Sequence, residues 1–160
     1  MDILAEWAKK AGWYRTGKAN FWRNSAFDEF TGLVDSYLCI IRDWRGRIHL
    51  RVHFLQDKRL TSKEIFVQLK RQRHSTGLNH VTVNQHGLTV TFGGYFQSKS
   101  YKVKKAINAV EALVPLIRSM GIRPSVVCEC GRQDQLKCFK ESDNALHFRC
   151  PTCAGKVEPK

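Results

Sequence analysis

Five of the six cysteines fall in the last 33 residues, and four of them form two close pairs, Cys128-x-Cys130-Gly and Cys150-Pro-x-Cys153. Thiolates paired in this way meet the tetrahedral geometry that zinc prefers. Disulfides would need an oxidising compartment, which nothing else in the sequence suggests. Four thiolates leave no open position for a catalytic water, so the sequence predicts a structural zinc on Cys128, Cys130, Cys150 and Cys153. Cys138 is a fifth thiol between the pairs and could take the place of Cys128. Cys39, on an apolar stretch far upstream, reads as a core residue.

A second set of chemically capable side chains lies on one short stretch. Residues 47–54 read Arg, Ile, His, Leu, Arg, Val, His, Phe, the alternation of a half-buried strand. With Ile48, Leu50, Val52 and Phe54 facing a core, Arg47, His49, Arg51 and His53 face the other way. A hairpin at 80–84 and 88–92 adds His80, Thr82, Asn84, Thr89 and Thr91 to that face. Two Arg and two His at alternate positions are costly unless something negative lies over them. Such side chains can also donate to base edges.

The charge distribution points the same way. The 160 residues carry 27 Lys and Arg against 14 Asp and Glu, a net +13. Residues 36–124 hold sixteen basic and four acidic side chains, whereas the flanking segments are close to neutral. Self-repulsion of this kind is relieved by a polyanion, and nucleic acid is the commonest one. A hydrophobic content of 42% argues against disorder. No run approaches 18 uninterrupted apolar residues, so no membrane span is expected. The opening MDILAEWAKK carries acids where a secretory signal has its positive flank. An intracellular, non-secreted protein is predicted.

The elements that must position these residues are also legible. Residues 1–26 read as a short amphipathic helix (3–11) and an aromatic-rich arm; Trp13, Tyr14, Phe21 and Trp22, with Phe27 and Phe30 just beyond, read as anchors to the body, base stacking being the functional alternative. A helix is predicted at about 27–36, strands at 37–44 and 47–54, and a helix at about 61–74 capped by Thr61 or Ser62 with Ile65, Phe66 and Leu69 inward. The second hairpin and a long helix at about 99–120, bent at Pro115, complete a domain over 27–124. The fold class is α+β, in the order αββαββα, with one antiparallel sheet covered on one face. Residues 125–160 form a separate zinc ribbon, with a hairpin turning around Ser142-Asp143-Asn144.

The run Phe30-Thr31-Gly32-Leu33-Val34-Asp35-Ser36, followed by an apolar strand, resembles the LAGLIDADG motif of homing endonucleases. The segment from Ile48 to Asp57 is similar to that family's second strand, down to Gln56 at its end. The likeness covers roughly 95 of 160 residues. It implies a motif helix over 27–36 that packs against a twin in a homodimer or an equivalent partner, with Gly32 permitting close approach. It also implies a sheet laid over the DNA major groove. The departure lies at the chemistry. Where the family has the carboxylate that binds its divalent metal, an ungapped match places Tyr37 and Leu38, and a phenol is a poor ligand for a hard cation. Asp35 and Gln56 are the fallback catalytic candidates.

These observations favour a nucleic-acid-binding protein, for DNA or structured RNA, that has lost cleavage. The alternatives are an active endonuclease using magnesium, a ribonucleoprotein or ribosomal component, and a basic scaffold for acidic proteins or membrane lipid.

Overall fold

The computed structural model describes residues 2–17, 27–44, 46–55, 59–72, 80–93, 96–128, 130, 136–140, 146–153 and 156–157. In chain order the elements are α1 (Ile3–Lys10), β1 (Tyr14–Gly17), β2 (Phe27–Val34), β3 (Tyr37–Trp44), β4 (Arg47–His53), α2 (Ser62–Arg71), β5 (Val81–Asn84), β6 (Gly87–Phe92), α3 (Lys99–Ser119), β7 (Lys137–Lys140), β8 (Leu146–Arg149) and β9 (Lys156–Val157). The molecule is mixed α+β. One antiparallel sheet has the strand order β1-β2-β3-β4-β6-β5, and a second has the order β7-β8-β9. No described helix is long and apolar enough to cross a membrane.

The strand alternation decides which face is dry. Tyr37, Cys39 and Ile41 of β3, Ile48, Leu50 and Val52 of β4, and Leu88, Val90 and Phe92 of β6 are all buried. Helix α3 supplies Val103, Ala106, Val110, Leu113, Val114 and Ile117 to the same core. Cys39 is part of it, and burial pushes its thiol well above the ordinary range. Helix α2 is closed by a capping box, in which Thr61 and Glu64 satisfy each other's backbone donors. Its Ile65 and Leu69 point inward, but Phe66 is exposed, contrary to the helical spacing expected of it.

The main correction lies at 27–36. The sequence predicts a helix there, and the chain forms strand β2, paired residue for residue with β3 from Phe27↔Trp44 to Val34↔Tyr37. Asp35 and Ser36 both take positive φ, 48° and 69°, as the two central residues of a type I′ hairpin turn do. Turn chemistry at Asp35-Ser36 and the adjacent strand override a helical pattern already weakened by Gly32, which costs a helix about 1 kcal/mol relative to Ala. The motif helix implied by the LAGLIDADG likeness is therefore absent from this segment, and with it the helix expected to pair with a twin. Gly32 does permit close approach, but inside the chain. A Cβ there would lie 2.3 Å from Cγ of Trp13, whose indole covers it.

The N-terminal segment joins the main core rather than trailing from it. Leu4, Ala8 and Trp13 are buried with the sheet, and β1 extends the sheet beside β2. Trp7 and Trp13 meet edge to face at 4.8 Å. Phe30 is buried as an anchor should be. Phe21, Trp22, the Phe27 side chain, Gln56 and the Ser142-Asp143-Asn144 turn lie outside the described residues.

Candidate functional site

The face of the six-stranded sheet opposite the helices carries the predicted basic residues in cross-strand rows. One row runs Glu29, Arg42, His49, Thr91, and the next runs Thr31, Ile40, Arg51, Thr89, Thr82. Trp44 and Arg47 close the sheet end. Alternation thus brings Arg47, His49, Arg51, Thr82, Thr89 and Thr91 together as expected. His53 belongs to the same β4 face, Asn84 pairs with Gly87, and the His80 carbonyl accepts the Thr91 amide. Ile40, Arg42 and Trp44 were not legible as members of this face. Their strand begins with apolar residues on both sides, from Tyr37 to Ile41, which hides its period.

Its electrostatics are set by which acids are already engaged. Glu29 accepts from Arg42 Nε at 2.7 Å and from the Thr16 hydroxyl at 3.0 Å. Asp28 is paired with Arg15, Asp35 with Arg118 at 3.8 Å, and the buried Asp43 with Lys99 at 2.6 Å. Asp43 thereby holds the Lys99 ammonium above its ordinary pKa. Arg47 and Arg51 are exposed, and among the described residues neither has an acidic partner. His49 shares a hydrogen bond with the Thr91 hydroxyl at 3.1 Å. Burial, then Arg42 and Arg47, lowers its pKa. Burial, then Arg51 and His86, lowers that of His53. Nε2 of each ring is buried without a hydrogen-bond partner.

Between these residues lies a depression of about 440 Å³ lined by Ile40, Arg42, Trp44, His49, Arg51 and Thr89. Trp44 is 44% exposed, and its ring centre is 6.4 Å from that of His49.

Of the fallback catalytic residues, Gln56 lies outside the described residues. Asp35 is exposed in the β2–β3 turn. Tyr37 is buried, its hydroxyl donating to the Ile122 carbonyl. Burial raises its pKa above the ordinary tyrosine value. It is a core residue.

The cysteines do assemble. Sγ atoms of Cys128, Cys130, Cys150 and Cys153 all lie within 4.8 Å of one another, with Cys128–Cys153 and Cys130–Cys150 both at 3.4 Å. A tetrahedral ion with ligands at about 2.3 Å sets its sulfurs roughly 3.8 Å apart, so the four could hold a metal ion. The amide of Cys153 donates to Cys150 and, helped by that of Thr152, brings its thiol down to about 6. The Cys130 amide favours the Cys128 thiolate. Its effect is outweighed by the neighbouring sulfurs and burial, which push Cys128 up to about 12. Charge crowding of this kind is what a cation resolves. Cys138 lies on β7, and its side chain is outside the described residues.

The cysteine module sits on one corner of the open sheet face. Val126, Phe148 and Val157 pack with Leu33 and Leu38, at the turn end of β2 and β3. The basic region therefore begins where the module stops, at Ile40.

No family model matches the chain, and no curated protein and no solved structure is significantly similar to it.

Proposed function

We propose that this protein binds nucleic acid through the open face of its six-stranded sheet, and that the cysteine module is a structural zinc site bracing one corner of that face. The observation that carries the proposal is the pair Arg47 and Arg51, exposed on one strand with no described acid to neutralise them while the acids nearby hold other partners. A phosphate backbone supplies the missing negative charge, and releases counterions as it does so. Zinc is favoured by the ligand set, since four thiolates in a closed tetrahedron suit zinc better than harder cations.

Cleavage is not part of the proposal. Tyr37, aligned with the metal-binding carboxylate in the endonuclease likeness, is engaged by Ile122 in the core, and Asp35 is exposed with Arg118 beside it. Fluorescence anisotropy of labelled oligonucleotides across a salt series tests binding. Affinity should fall steeply as salt rises, and its absence at low salt would defeat the proposal. Bound DNA or RNA should stay intact in magnesium or manganese. Specific cutting that disappears in Asp35→Asn would instead favour the endonuclease.

A further inference from the structure

The proposed face leaves open what form of nucleic acid it accepts, and Trp44 bears on that question. Among the described large apolar side chains that are exposed, Phe66 and Val67 lie on α2, Tyr101 on α3 and Phe96 on the loop before it. Trp44 alone lies on the open sheet face. It is 44% exposed, and it borders a depression lined also by the apolar Ile40 and by the hydrogen-bonding side chains of Arg51 and Thr89. An indole beside donors and acceptors, in a hollow of small-ligand size, offers one flat apolar surface and several polar edges. That combination matches a nucleobase.

Resting on the nucleic-acid reading above, we infer that the face takes a single strand or an unpaired segment, with one base stacked on Trp44 in this depression and phosphates on Arg47 and Arg51. The two arginines are four positions apart on β4, roughly 13 Å at about 3.3 Å per residue, and they bracket His49. Phosphates can thus be held on either side of the seated base. A base inside a duplex has both faces covered by its neighbours and cannot reach the indole, whereas an unpaired base can. The ion pair of Arg42 with Glu29 holds one wall of the hollow in place without a ligand.

The test compares a ten-nucleotide oligo-dT or oligo-U, a hairpin duplex of similar charge and a mononucleotide, all at one salt concentration on the full chain. The single strand should bind more tightly than the duplex and quench tryptophan emission. Trp44→Ala should weaken the strand by roughly 5- to 150-fold, the range of one base–aromatic stack, and leave duplex binding nearly unchanged. Trp44→Phe keeps an aromatic face, so it should retain most of the affinity while losing the quench, which guards against a variant that merely unfolds. Equal binding of strand and duplex, with neither weakened by Trp44→Ala, would overturn the inference and leave the nucleic-acid reading standing. A mononucleotide binding as tightly as the strand would assign the hollow to a free nucleotide and overturn it too. No binding of any probe would remove both.

Discussion

The two sheets bury their faces with different materials. The six-stranded sheet is covered by α1 and α3 and packs Ile41, Ile48, Leu50, Val90, Leu113 and Ile117 into a continuous apolar core. The three-stranded sheet has few such residues. Its described core is Val126, Phe148 and Val157 with two cysteines, Cys128 and Cys150, and it leans on Leu33 and Leu38 of its larger neighbour. The first can draw its stability from hydrophobic burial. The second is too small for that, and the four-sulfur cluster stands where the missing apolar residues would be.

Removing metal should therefore separate the two. Chelation, or Cys150→Ser, should release one zinc per chain and disorder the module over 125–157, because structural zinc contributes on the order of 10–16 kcal/mol to such small folds. Amide exchange should rise there and stay slow in β3, β4 and β6. Simultaneous melting of both sheets, or freshly purified reduced protein with no zinc, would break the comparison. The converse perturbation is Leu50→Ala, which opens a cavity in the large core at a fully buried position. It should cost about 2–5 kcal/mol in urea unfolding, without changing the zinc content of folded protein.

How much of this was legible follows the same division. Period-two patterns at 47–54 and 80–92 and the capped helix after Thr61 are local signals, and the chain follows them. Cysteine spacing is local too, and the four sulfurs meet. What escaped depended on how neighbouring strands turn and pair, which no single segment's pattern displays. Strand β2 exists because Asp35 and Ser36 turn the chain back along β3, and a degenerate motif likeness concealed that turn. Trp44 and Arg42 join the basic face only through the register of β3 on β4. The third strand of the small sheet, Lys156–Val157, pairs with β8 from beyond the last cysteines and had no pattern long enough to read.

A smaller effect sharpens the comparison through pH. His49 and His53 titrate below the ordinary imidazole value in the fold, for burial and for the flanking cations Arg42, Arg47 and Arg51, with His86 beside His53. The unfolded chain then binds more protons between the lowered values and about 6.5. Stability is full above that window and falls as pH drops through it. The melting temperature of the large sheet should decline from pH 7.5 to 5.5, and less so in the His49→Gln, His53→Gln double variant. A decline of equal size in that variant would place the sensitivity elsewhere.

The central claim is that Arg47 and Arg51, exposed on β4 with no acidic partner among the described residues, hold nucleic acid, and one double variant addresses it. Arg47→Ala with Arg51→Ala, checked for an unchanged melting temperature and zinc content, should be titrated with the tightest-binding oligonucleotide across a salt series. The expected result is a loss of roughly 2–6 kcal/mol in binding, with the slope of log affinity against log salt shallower by about two. Unchanged affinity and an unchanged slope in a folded double variant would contradict the claim.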